Sequence, residues 1–210
     1  MMLDHSAIAA FWDWFATYSD RIRDAYRRED RQWLDLELSP RVQHIDSRLQ
    51  WEIGPYHPVD DAFVLSPSVR ENLPLTRAAI AIAPNLEGWR FLYAKPPKQL
   101  LSLAFTVDDC TIHADDWRYR LIAYNDGEFV DIELFIPAHS HPPIAHLNLF
   151  CEWVVESLIG EECRLDRVGE LMPQIVEDNR CVEQSTPIQH LQNHLKQALA
   201  PTPPKGSPKL

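Results

Sequence analysis

Asn125-Asp126-Gly127-Glu128 lies between two runs of strand-forming residues, and Asp-Gly suits a two-residue turn with positive φ at both central positions. If Asp126 and Gly127 form the loop, Trp117 faces Ile136, Tyr119 faces Leu134, Leu121 faces Ile132 and Ala123 faces Val130. That side of the hairpin is wholly apolar. The other side sets Arg120 opposite Glu133, with Arg118 and Asp131 nearby, so one register sorts core from solvent and also opposes unlike charges. A slip of one residue in either strand undoes both. The segment therefore predicts an antiparallel sheet with a greasy side that something else must cover.

Helices are available to cover it. Ser6 is an expected N-cap for a helix in which Ile8, Phe11, Trp12, Phe15, Ile22 and Tyr26 recur at the spacing of one face. A second helical stretch runs from about Arg31 to Asp46, with a break expected at Ser39-Pro40. Leu49 to Ile53 and Ala62 to Leu65 read as a hairpin, with Gly54-Pro55 as punctuation. A helix from Asn72 to Ala83 is stopped by Pro84, Trp89 to Ala94 reads as a strand, and Leu100 to Val107 as another. Beyond the central hairpin come a helix from Ile144 to Ile159 stopped by Gly160, a strand from Cys163 to Met172, and a last helix opened by Thr186-Pro187. No sequence repeat appears. The fold class expected is α+β, a mainly antiparallel sheet with helices on one face, in a single domain over residues 1–200 followed by a flexible Pro-rich tail at 201–210.

Composition narrows the function. Asp and Glu number 31 against 20 Lys and Arg, a formal charge of −11 that repels a phosphate backbone and attracts a basic protein surface. Six glycines, none in a GxGxxG or GxxxxGK[ST] arrangement, leave no phosphate-cradling loop of those kinds. The four cysteines form no CxxC pair, so free thiols in a reducing compartment are expected. Residues 1–15 carry Asp4 and Asp13 where an export signal needs a basic start, and no apolar run approaches the ~18 residues that span a bilayer. The expectation is a cytoplasmic protein with neither nucleic acid nor membrane as partner.

Residues that could carry chemistry are few. His139 and His141, two apart in an extended segment, and His146 from the following helix could together hold a metal, with Asp131 or Glu133 as carboxylate neighbour. His190 and His194 are four apart, but Leu191, Gln192 and Asn193 between them lack the Glu of HExxH, which favours a plain solvated face. Cys151 sits on an apolar helical face and reads as an inert buried thiol. Adjacent acids such as Asp108-Asp109, Asp115-Asp116 and Glu161-Glu162 read as solvated loops. Among the four rings at Phe11, Trp12, Trp14 and Phe15, Trp14 is the outlier from the buried stripe and could anchor a partner.

Phe11-Trp12-x-Trp14-Phe15, Trp51-Glu52-Ile53-Gly54-Pro55, Leu65-Ser66-Pro67 and Ala83-Pro84-x-Leu86-x-Gly88-Trp89-Arg90-Phe91 resemble the FWxWF, WEIGP and APxLxGWRF motifs of a family of uncharacterised bacterial proteins of similar length. The resemblance is best over residues 10–95, implies a bacterial source and an accessory role, and carries no catalytic residue. The leading expectation is an acidic, immunity-like or regulatory factor that binds a basic protein partner through Trp14, Arg118, Arg120, Asp131 and Glu133, without a catalytic residue or cofactor. The competing expectations are a metal-dependent hydrolase built on His139, His141 and His146, and a homodimeric accessory protein.

Overall fold

The computed structural model describes residues 5–57, 60–98, 102–107, 110–124, 128–178, 180 and 182–199. The fold is α+β, with helices and open sheets that are antiparallel or mixed. Its contacts gather into two compact units, Met1–Lys95 and Pro96–Leu210. No helix among the described residues is long and apolar enough to cross a membrane.

The first unit is built on rings. Helix α1 (His5–Arg27) begins one residue before the expected cap and buries Ile8, Phe11, Trp12, Phe15 and Ile22. Helix α2 (Arg31–Ile45) is capped by the Asp30 carboxylate, which accepts from the Trp33 N–H at 3.1 Å. It does not break at Ser39-Pro40: Pro40 lies inside the helix. The carbonyl deprived of a donor there belongs to Leu36, which is exposed, while Leu34, Leu38 and Val42 are buried and hold the helix through the proline. The Ser39 hydroxyl accepts from Trp51 Nε1 at 3.0 Å instead of capping a new turn.

Strands β1 (Gln50–His57) and β2 (Asp60–Ser66) pair antiparallel, Trp51 opposite Leu65 and Ile53 opposite Phe63. Gly54-Pro55 is part of β1 and no turn. In the order β1-β2-β3 the first strand is an edge, where a residue without an N–H is tolerated. A 3-10 turn (Arg70–Asn72) leads into α3 (Leu73–Ala81), and β3 (Trp89–Leu92) then pairs with β2 in parallel. Phe15 and Phe63 rings lie 5.0 Å apart, Phe15 and Trp89 5.1 Å, Trp12 and Phe91 4.8 Å, mostly edge to face. Trp12 Nε1 donates to the Ala79 carbonyl at 2.8 Å and so ties α1 to α3.

The second unit holds a two-stranded sheet, β4 (Ala104–Val107) with β5 (Cys110–His113), and a four-stranded one. In the latter, β6 (Arg118–Ala123) pairs with β7 (Val130–Pro137) in the expected register: Tyr119 with Leu134, Arg120 with Glu133, Leu121 with Ile132, Ala123 with Val130. The turn at 125–127 and the tail at 201–210 lie outside the described residues. Helix α4 (Leu147–Ile159) follows a 3-10 turn (Ile144–His146) and packs Phe150, Cys151, Val154 and Val155 into one core with Trp117, Tyr119, Val130, Ile132, Leu134 and Ile136.

Two expectations fail here for identifiable reasons. Gly160, at φ +83°, ends α4 and at once starts α5 (Glu161–Arg167), so the strand expected from Cys163 begins only at β8 (Val168–Val176). Acids Glu161 and Glu162 in the first turn and Arg164 and Arg167 in the last complement the helix dipole, and Arg164 reaches back to Glu152 at 2.5 Å. Strand β8 joins β7 in parallel, as a helical crossover allows, so the sheet is mixed. Thr186-Pro187 does not open the last helix but forms β9, a two-residue strand on the edge of β6, before a 3-10 turn (Ile188–His190) and α6 (Leu191–Ala198). The strand order is β8-β7-β6-β9.

The two units share a plan: an antiparallel hairpin, a helical crossover, and a strand returning parallel to the second hairpin strand. Along the β7–β8 pair one irregularity stands out, because Val130 faces Val168 while Ile132 faces Leu171. Two residues, Gly169 and Glu170, stand opposite the single Asp131, which makes a β-bulge.

Candidate functional site

The outer face of β6 and β7 carries the expected charges but is not open. Phe135 is 2% exposed and Asp131 8%. Asp131 serves the bulge: its carboxylate accepts from the Glu170 N–H at 2.8 Å and from the Tyr124 hydroxyl, and lies against Gly169. That phenol is accordingly held above its ordinary pKa, chiefly by its hydrogen bond to Asp131. Arg120 donates to Glu133 at 2.5 Å with its guanidinium over the Phe135 ring, and Arg118 donates through Nε to the Ser185 hydroxyl at 2.8 Å and through a terminal nitrogen to the Ser185 carbonyl. Trp14 is half-buried and packs against the ring core, with Arg41 4.2 Å over its ring and Tyr18 beside it. Of these five residues, Arg118 borders a cavity.

That cavity, of about 550 Å³, opens at one end of the four-stranded sheet, where β6 begins and β7 and β8 end. The segment before β6 supplies Asp115, Asp116, Trp117 and Arg118. The exit of β7 supplies Pro137 and His139, the exit of β8 supplies Glu177, Asp178 and Arg180, and Pro187 of β9 completes the wall. Local chemistry fixes each contributor. A tight turn, Trp117 N–H to Ala114 carbonyl at 3.1 Å, presents the adjacent acids, and the Asp115 carboxylate is anchored by Ser102 Oγ at 2.8 Å and the Leu103 N–H at 3.0 Å. Asp178 folds its own chain by accepting from the Arg180 N–H at 2.9 Å and pairs with the Arg180 side chain at 3.2 Å.

Asp116 meets His139: the imidazole Nε2 is 2.8 Å from Asp116 Oδ2, and Ser140 Oγ donates to Oδ1 at 3.2 Å. This pair stands between the cavity and a second one of about 330 Å³, lined by Cys110, His113, Asp115, Asp116, His139 and His141 among others. Four carboxylates thus open on the larger cavity, and its two arginines already have oxygen partners.

The metal expectation is not met by this geometry. His139 is occupied with Asp116, His141 Nδ1 lies 2.7 Å from the Pro142 carbonyl, and His146 sits on the 3-10 turn before α4. Among the described residues no group of three or more His, Cys, Asp or Glu side chains could hold a metal ion. Cys110, Cys151 and Cys163 are free thiols; Cys181 lies outside the described residues. Burial pushes the Cys151 thiol up to about 12, the state of an inert cysteine.

Sequence reasoning missed Asp115, Asp116, Glu177 and Asp178. One signal was present: continuing the hairpin register by two residues beyond Arg118 and Phe135 sets Asp116 opposite Pro137, within reach of His139. Nothing in the sequence brings residues 177–180 to the same place, because that depends on β8 running parallel to β7. No family model, curated protein or solved structure matches this chain.

Proposed function

We propose that this chain works by holding another protein, receiving a basic side chain of the partner in the cavity at the end of the four-stranded sheet. The observation that carries the proposal is the cavity lining: Asp115, Asp116, Glu177 and Asp178 face one opening, while Arg118 and Arg180 are engaged by Ser185 and Asp178. Glu177 has no ion-pair partner among the described residues. A lysine or arginine entering the cavity meets exposed carboxylates set beside the apolar walls of Trp117, Pro137 and Pro187, to which it can donate charge-assisted hydrogen bonds. The chain's charge of −11 would speed the encounter and make it salt-dependent. With free thiols and no spanning helix among the described residues, the proposed setting is the cytoplasm.

Fluorescence anisotropy with a labelled oligo-arginine peptide tests this. The triple variant Asp116→Asn, Glu177→Gln, Asp178→Asn is expected to weaken binding at least about tenfold, the size of one to two lost charge-assisted bonds. A control removing three acids from α1 (Asp13, Asp20 and Asp24) should leave it nearly unchanged. Equal losses in the two variants would show that net charge alone does the work and would remove the cavity from the account.

A further inference from the structure

We infer that His190 and His194 form a two-point seat for one borderline divalent transition-metal ion, of the Zn²⁺, Ni²⁺ or Cu²⁺ class, with Tyr119 as the positioning residue. His190 closes the 3-10 turn Ile188–His190 and His194 lies one turn on in α6, so both side chains leave the same helical face. Both are exposed, and their rings are nearly parallel, 22° between planes and 6.0 Å between centroids. Two imidazoles on one tetrahedral ion, each with a metal–nitrogen bond of about 2.1 Å, have centroids about 5 Å apart. Side-chain rotation alone closes that gap.

The second, independent observation is the Tyr119 hydroxyl, 2.8 Å from His194 Nδ1. Tyr119 is 1% exposed and fixed in the sheet between β7 and β9, so it holds one nitrogen of the ring and leaves Nε2 as the coordinating atom. A metal-bound histidine characteristically has its other nitrogen hydrogen-bonded in this way. In the loaded state the Nδ1–H donates to the tyrosine oxygen. Neither His190 nitrogen has a hydrogen-bond partner among the described residues, so nothing there competes with an ion.

Leu191, Gln192 and Asn193 between the two histidines include no carboxylate, and no third protein donor completes the set among the described residues. The seat is therefore one of binding and not of metal-assisted hydrolysis, and its remaining coordination positions stay open to water or to a donor from another molecule.

The test uses full-length, tag-free protein stripped with a chelator and titrated calorimetrically with the chlorides of zinc, nickel or copper, with magnesium chloride as the reference. The expected result is one ion per chain, in the order copper over nickel and copper over zinc, with no response to magnesium. His190→Gln or His194→Gln each lowers the affinity about a hundredfold by removing the second point of attachment. Tyr119→Phe lowers it about tenfold, the effect of losing an orienting partner, and His139→Gln leaves it unchanged. Imidazole ¹⁵N spectra of the unaltered protein give a second measurement that needs no variant: zinc should move the His194 Nε2 resonance. An isotherm indifferent to both His190→Gln and His194→Gln, a loss of equal size in His139→Gln, no binding below millimolar ion, or a His194 Nε2 signal that does not move would each overturn the assignment.

Discussion

The two units follow the same plan and finish the same end of their sheets in opposite ways. In the first, the entry to β1 carries Arg48, whose guanidinium bonds Asp46 at 3.1 Å and the Asn72 side-chain oxygen at 2.9 Å, and Asn72 is fully buried. The end is plugged. In the second, the entry to β6 carries Asp115 and Asp116, the exits of β7 and β8 carry His139, Glu177 and Asp178, and a cavity of about 550 Å³ remains. The cores differ in the same sense. Rings pack on rings in the first unit, whereas in the second aliphatic strands pack under α4. Shared topology therefore does not fix where a binding surface arises; what the chain does at the strand ends does.

The contrast between the cores can be broken most forcefully at their centres. Phe63→Ala should cost about 3–5 kcal/mol, since the ring touches Phe11, Trp12, Phe15 and Phe91, whereas Ile132→Val on β7 should cost about 0.5–1.5 kcal/mol. Thermal unfolding of the two variants measures both, and comparable losses would mean that the ring cluster is no more critical than the aliphatic core.

A second, smaller contrast concerns strand glycines. A Cβ at Gly169 would overlap Asp131 Oδ1, while one at Gly54 meets nothing within 4 Å. Gly169→Ala should destabilise by about 1–3 kcal/mol and Gly54→Ala by well under 1 kcal/mol. Urea titrations of both decide it.

The smallest effect expected sharpens the plug. Its hydrogen bonds to Arg48 hold the Asp46 carboxyl below the usual range. A carboxyl depressed on folding adds stability that is fully present above its unfolded pKa of about 3.9 and is lost as the pH falls through the lower folded value. Arg48→Met should therefore lower Tm slightly at neutral pH and flatten its decline below about pH 4. A decline as steep as that of the parent would dissociate Arg48 from the effect.

Legibility in the sequence followed the range of the interactions. The β6–β7 register could be written down in advance because alternation, opposed charges and a turn dipeptide act between neighbours. The rings of α1 were legible for the same reason, down to Trp14 as the one set aside from the buried stripe. What escaped depends on distant partners. Pro40 stays helical because the core under α2 outweighs one missing hydrogen bond, Gly54-Pro55 stays extended because β1 is an edge, and β3 and β8 run parallel to their neighbours because helices carry the chain back. The cavity escaped most completely, since four separated segments meet only once β8 and β9 have taken their places. Asp131, expected to face a partner, turned inward to a backbone N–H that no sequence pattern announces.

That inward carboxylate makes the joint between β7 and β8 a keyed one. Only a residue without a side chain leaves the slot it occupies, and Gly169 is flanked by Val168 and Glu170, so a shift of β8 by one step in either direction presents a bulky neighbour to Asp131 and strands the charge. Parallel pairings have no hairpin turn to set their alignment. Here a single acid and a single glycine do that job, and through it they decide where Glu177 and Asp178 come to rest.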